Sequence, residues 1–306
     1  MKIKVLLSIL FVLLSLNATE KKKAKIHPSF GLSPSTEVIL KQIKKANPDG
    51  TYVLNENDIN ALLTILTKAD IAIKATVENI TNAKTIGYKR IRTIDLISNK
   101  RGLQLQRSFS LGNLVSTGHK LDIAIASEIG FLAFKDDKKQ IFYSRDGSLK
   151  IGTERTLLNS FGHKLIPEIQ FESDDIIETL NISEDGVLSI SNSSKKNRKI
   201  DQLRLFQFQN TSDLIYNKLY NCFSPINDSI KAQEKFPGQS GMGVVLQGFL
   251  ELSNVNITEE QRDYLSFIRF YNLIYDSISR LDPSFVGAYK THIFDPSYIK
   301  NMEEGK

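Results

Sequence analysis

Few residues in this chain are arranged for chemistry. The histidines His27, His119, His163 and His292 are scattered, and none has the i, i+4 partner that a zinc-binding helix supplies. They read as ordinary surface or loop residues. Cys222 is the single cysteine; it can neither close an internal disulfide nor build a cysteine-based metal cluster, so it is expected to be a small buried hydrophobe. The run Gly238-Gln239-Ser240-Gly241-Met242-Gly243 has the glycine density of a catalytic or phosphate-binding loop. It lacks both the G-x-S-x-G spacing of a nucleophile elbow and the closing Lys-Ser/Thr of a phosphate loop, and is expected to be a flexible joint. The acid pairs Asp136-Asp137 and Asp174-Asp175 fall at turns, and without a cleft they are assigned to solvent. The expectation is a protein with no catalysis, cofactor, metal or small-molecule substrate.

The elements that carry these residues are those of a folded protein. At 306 residues and 41% hydrophobic composition the chain can bury one or two cores. Its 40 basic residues against 34 acidic give a net charge of +6. The basic residues are dispersed apart from 21–25 and 195–199, and no Arg/Lys stripe interleaves with aromatics, which argues against a nucleic-acid groove. Residues 1–18 have the parts of a secretory signal: Lys2 and Lys4, an apolar run from Val5 to Leu16, and Ala18 before Thr19-Glu20. Cleavage near Ala18 would export the protein from the cytoplasm; retention as an anchor is the alternative.

Two helical patterns stand near the ends. In residues 247–281, Thr258 followed by Gln261 fits a capping box, and Glu259 and Glu260 place negative charge in the first turn. Tyr264, Phe267, Tyr271, Ile274, Ile278 and Leu281 keep a 3-4-3-4-3 spacing. Leu265, Ile268, Phe270, Leu273 and Tyr275 widen the apolar surface beyond what one neighbour would cover. Toward the N-terminus, Asp58 is a candidate N-cap. Ile59, Leu62, Leu66, Ala69, Ile73, Thr76 and Ile80 then form a coiled-coil-like seam. The simplest arrangement pairs the two helices; two separate core helices are the alternative. Between them the chain alternates like strands, as at Leu121, Ile123 and Ile125 against Asp122, Ala124 and Ala126, with turns at 136–137, 145–147, 161–162 and 184–186. Residues 213–237 carry only a weak, mixed pattern.

Four collinear stretches stand out. The first is Asn79, Asn82, Thr85, Gly87, Tyr88 and Lys89 at the end of the first helix. Asn82 there can bond freed backbone groups, Gly87 permits positive φ, and Tyr88 can pack back. The second holds Gly118, Leu121 and Asp122, and the third Arg145 and Gly147 in a Tyr-x-Arg-x-Gly turn. The fourth is Gly248, Glu251, Ser253, Asn254 and Val255, leading to Phe267, Arg269, Tyr271 and Ile274 in the last helix.

Together these four stretches resemble bacterial flagellar basal-body rod proteins, a family related to hook proteins. The resemblance implies an α+β fold in which paired, coiled-coil-like N- and C-terminal helices flank a β-rich middle domain. It implies a structural subunit of the flagellar basal body, partnered by other axial (rod and hook) subunits and by itself as a helical homo-oligomer. The expected division is a signal at 1–18, an extension at 19–57, paired helical segments at 58–89 and 244–282, a β-rich domain at 90–243, and a second extension at 283–306. The sequence departs from the family at Ile268, Asn272 and Ile274, where relatives carry Gln, Glu and commonly Asn, and at Glu78, which replaces the first of two paired Asn residues. Alternatives are a periplasmic scaffold that kept the fold without polymerising, and an envelope enzyme.

Overall fold

A computed structural model describes residues 56–94, 104–239 and 241–281. The segments 1–18 and 283–306, and all but two residues of the 19–57 extension, lie outside the described residues. Among the described residues the order of elements is one α-helix, α1 (Glu56–Thr81), then eighteen short strands with a 3-10 turn at Thr211–Asp213 among them, then a second α-helix, α2 (Ile257–Leu281). This is a β-rich middle flanked by helices, an α+β chain. It divides into two compact units: described residues 56–77, 93–94, 104–105 and 259–281 in one, and 78–92 with 106–258 in the other.

In the helical unit, burial follows the seam. Leu66, Ala69, Ile73 and Thr76 are buried, joined by Ala72 and Ala75. Thr76 tolerates that position because its hydroxyl donates back to the Ala72 carbonyl at 2.9 Å. On the outer face Lys74 reaches Asp70 one turn earlier, at 2.6 Å. Along α2 the buried residues are Glu260, Tyr264, Phe267, Ile268 and Tyr271, again at helical spacing. Asp58 lies within α1, and Thr258 lies within α2, which opens at Ile257.

In the β unit the largest sheet has seven antiparallel strands. Their order is β14 (Leu214–Asn217), β15 (Cys222–Pro225), β6 (Ile141–Ser144), β5 (Leu132–Lys135), β9 (Lys164–Ile166), β8 (Leu157–Leu158) and β7 (Lys150–Ile151). A three-stranded sheet, β10 (Asp175–Ile182), β11 (Val187–Asn192) and β12 (Asn197–Gln202), accompanies it. Short ribbons pair β4 (Ile123–Ile125) with β17 (Val245–Gln247), β3 (Leu114–Ser116) with β18 (Phe249–Glu251), and β13 (Leu205–Gln207) with β16 (Gln233–Lys235).

Successive residues of β5 serve two cores, because a strand's side chains alternate between faces. Leu132 and Phe134 join an aliphatic core with Ile123, Ile125, Leu165, Leu188 and Val245. Phe131 and Ala133 join an aromatic one with Tyr143, Phe206, Phe208 and Phe223, where Tyr143 meets Phe208 edge to face at 4.7 Å.

Residues 213–237 hold β14, β15 and β16, and β14 and β15 complete the main sheet. Other expectations are corrected here. Strand β4 is buried throughout, since Ala124 is small enough to be covered like its larger neighbours Ile123 and Ile125. The two ends of the glycine run are bonded to each other. Gly238 N–H donates to the Gly243 carbonyl at 2.6 Å, Met242 N–H to that of Gln239 at 2.9 Å, and Met242 sits in the aliphatic core. Finally, Asp175 is buried and bonded to Arg198 rather than solvated.

Candidate functional site

The end of α1 is unwound by its own side chains. Asn82 donates its amide to the Glu78 carbonyl at 2.9 Å and accepts from the Thr85 hydroxyl at 3.2 Å, covering groups the last turn frees. Asn79, one turn earlier, is buried and bonds both backbone groups of Ile91: it donates to the carbonyl and accepts from the N–H, each at 2.8 Å. Tyr88 is fully buried and its hydroxyl reaches the same Asn79 oxygen at 3.2 Å. Burial pushes the Tyr88 phenol well above its ordinary range.

Gly87, at φ 69°, donates its N–H to the Glu251 carbonyl at 2.8 Å. A β-carbon there would come within 2.5 Å of the Arg145 carbonyl carbon and the Asp146 nitrogen. The chain therefore passes where only glycine fits.

The two middle stretches meet the fourth. Gly248 N–H donates to the Asp122 carbonyl at 2.8 Å, and Thr117 N–H and Gly118 N–H donate to the Gly248 carbonyl at 2.7 and 3.2 Å. The Asp122 carboxylate accepts from the Thr117 hydroxyl at 2.7 Å, while Leu121 packs at the edge of the aliphatic core. Gly147 lies directly against Ile123.

At the centre stand three charged side chains, all buried: Lys89, Arg145 and Glu251. Glu251 Oε1 accepts from Lys89 Nζ at 2.6 Å and from Gly112 N–H at 2.8 Å, and Oε2 accepts from Arg145 Nε at 2.8 Å. Lys89 Nζ also donates to the Ser110 carbonyl at 2.8 Å. The remaining guanidinium nitrogens of Arg145 donate to the carbonyls of Gly130, Ile125 and Ser127. Burial, reinforced by the Arg145 charge, pushes the Lys89 ammonium down to about 8 against the pull of Glu251. Nearby, Asn254 accepts from Arg90 N–H at 2.7 Å and donates to the Ser108 and Ser110 carbonyls at 2.8 and 3.0 Å. The Ser253 hydroxyl accepts from Val255 N–H at 3.3 Å.

The structure thus brings together Asn79, Gly87, Tyr88, Lys89, Arg145, Glu251 and Asn254, with Gly118, Asp122 and Gly248 joined by backbone bonds. Phe267, Arg269, Tyr271 and Ile274 belong to α2 in the other unit, where Phe267 and Tyr271 are buried, Ile274 is half-buried and Arg269 is exposed.

Two residues of this centre had no signal in the sequence. Arg107 donates to the Lys89 carbonyl and to Glu78, each at 2.7 Å, and its guanidinium lies 3.9 Å from the Tyr216 ring centre. Asn221, at φ 44°, donates to the Ile86 carbonyl at 2.8 Å. Only the tolerance of asparagine for left-handed turns could have marked it.

What this arrangement does chemically is tie distant chain segments. Its charged donors are spent on carbonyls and on the carboxylates of Glu251 and Glu78, and Cys222, pushed up to about 12 by burial, keeps its proton. Removing a member whose loss leaves a buried charge without compensation costs about 3–5 kcal/mol.

Residues 124–190 match the family model described as the flagellar hook protein FlgE/F/G D1 domain. The chain is 30% identical over 231 residues to the flagellar basal-body rod protein FlgG of Borreliella burgdorferi, covering 67% of this chain and 86% of that relative. It is 31% identical over 237 residues to FlgG of Buchnera aphidicola from Acyrthosiphon pisum, covering 67% and 87%. To the rod protein FlgF of Buchnera aphidicola from Baizongia pistaciae it is 27% identical over 237 residues, covering 71% and 90%.

Proposed function

The chain belongs to the flagellar basal-body rod protein family, and from that premise we propose that it is a non-enzymatic structural subunit whose terminal helices pair with each other and with neighbouring axial subunits. The observation that carries the assembly reading is the apolar surface left on α2. Tyr264, Phe267, Ile268 and Tyr271 are buried, yet Leu265 is 40% exposed and Ile274 is only half-buried. A helix that retains apolar surface after filling its own groove has area left for a second partner. Ile274, where the resembled family commonly carries Asn, is part of that surface, while Ile268, where it carries Gln, is buried.

Pairing of α1 with α2 is supported by their membership of one compact unit and by the complementary buried stripes. It is supported too by the β unit, where the chain leading out of α1 and the chain leading into α2 are tied through Gly87, Lys89, Arg90, Glu251 and Asn254. In this reading each subunit presents one surface to a different surface of the next copy, so the assembly stays open and helical. Residues 58–89 and 244–282 serve as the assembly segment and 90–243 as the β-rich head. Residues 1–18 act as the signal that delivers the chain to the periplasm, and neither nucleic acid nor a small molecule is a partner. The motif residues of the β unit act in assembly indirectly, by holding the head and the helix ends in one shape.

Sedimentation of the mature chain at high concentration, alone and mixed with rod or hook subunits, tests this. Concentration-dependent association or co-sedimentation is expected. A chain that stays monomeric and binds neither would instead be a scaffold that kept the fold without polymerising.

A further inference from the structure

The buried centre holds two cations and one carboxylate. Lys89, Arg145 and Glu251 are 0%, 2% and 1% exposed, and the further acid acting on the two cations, Glu128, is exposed and lends its Oε1 to Leu111 N–H at 3.4 Å. With all three ionised the centre carries one uncompensated positive charge in a desolvated place, which is expensive. Arg145 cannot relieve it, because a guanidinium keeps its proton across the accessible pH range. Nor can Glu251, the one negative charge of the centre, since a proton there would increase the excess. Lys89 is left. Its nitrogen has two partners, Glu251 Oε1 at 2.6 Å and the Ser110 carbonyl at 2.8 Å, both acceptors. A neutral amine has two N–H donors, so losing the third proton breaks neither bond.

We propose that the Lys89–Glu251–Arg145 centre is a pH-sensitive latch, tightest when Lys89 is a neutral amine and loosened when it binds one proton. Deprotonation leaves a balanced Arg145–Glu251 pair with every hydrogen bond of the centre intact. Protonation restores the excess charge at the point where the 78–92 segment meets Glu251. The sign follows from linkage: a lysine that gives up its proton more readily in the fold than in the unfolded chain makes stability rise with pH between its folded and unfolded values. Those values are about 8 and 10.5, so the rise falls in the alkaline range, opposite to the behaviour of a lysine held charged by a surface acid. This latch concerns the β unit alone and does not depend on whether the subunit assembles.

The direct test is the full chain labelled at lysine side chains and followed by NMR from about pH 6 to about pH 11, a range that spans the ordinary lysine value. One side-chain signal titrating near 8, absent from Lys89→Met, is expected; a Lys89 midpoint at or above 10.5 overturns the proposal. Thermal unfolding gives a second reading. Between about pH 8 and about pH 10 the wild-type midpoint should rise relative to that of Lys89→Met, and parallel pH profiles would contradict the latch. If Lys89→Met does not fold, the wild-type titration still decides, because the signal with the depressed midpoint can be assigned to Lys89 by its through-space contacts with Ser110 and Gly112.

Discussion

The side-chain amide of Asn79 bonds both the N–H and the carbonyl of Ile91, each at 2.8 Å, and so does for the chain beyond α1 what a neighbouring strand would otherwise do. Replacing it with alanine leaves two buried backbone groups and the Tyr88 hydroxyl without this partner. Asn79→Ala should therefore destabilise the β unit by about 2–4 kcal/mol. Urea unfolding of the variant checks this, and a loss below about 0.5 kcal/mol would show that water replaces the amide freely.

The centre at Glu251 should respond unequally to loss of its members. Glu251→Gln leaves Lys89 and Arg145 buried without a carboxylate and should cost about 3–5 kcal/mol. Lys89→Met leaves a balanced Arg145–Glu251 pair and should cost less than about 2 kcal/mol. Chemical denaturation of the two variants side by side gives the order, and the reverse order would contradict the charge count.

Glycine replacement separates close packing from backbone strain. At Gly147 a β-carbon would lie 1.8 Å from the Ile123 carbonyl oxygen, which is backbone and cannot swing away. Gly147→Ala should cost about 3 kcal/mol or more. Gly118 has φ 68° but open space around it, so Gly118→Ala should cost only about 1 kcal/mol. Comparable melting temperatures for the two would disprove the close-packing role of Gly147.

Asp175 supplies the acid-side pH dependence. Burial works to raise its carboxyl, but the hydrogen bonds from Arg198 and from Glu172 N–H outweigh it and hold the group below its ordinary 3.8. A depressed carboxylate contributes stability that is complete above its unfolded value and is lost as pH falls through the folded one. Wild type should lose stability below about pH 4 more steeply than Asp175→Asn, as acid titrations followed by circular dichroism would show.

Much of this was legible in the sequence where a residue's local role is also its long-range one. Asn82, Gly87 and Gly147 mark turns by type alone, and the alternation through 121–125 marks a strand. The helix patterns identified which side of α1 is buried because helical spacing needs no knowledge of the partner. Charge was the blind spot. Lys89, Arg145 and Glu251 lie far apart in the chain, and nothing local tells a buried lysine from a solvated one, just as Asp175 passed for a turn acid. Residues 213–237 hid for a related reason: β14 and β15 are short, and Ile215, Leu219 and Ile226 are exposed while Cys222 and Phe223 are buried, so no clean alternation survives.

The assembly claim turns on α2, and Leu265 is its cleanest probe, because Phe267 is already buried within the monomer and its loss would confuse folding with assembly. Leu265→Asp, at a 40% exposed position, should leave monomer stability within about 0.5 kcal/mol of wild type. The decisive measurement is the amount of tagged wild-type and Leu265→Asp chain recovered in purified flagellar basal bodies. Wild type present as an integral component, with the stable variant absent or strongly depleted, is the result expected. Wild type absent from basal bodies, or both chains incorporated equally, would contradict assembly through this helix.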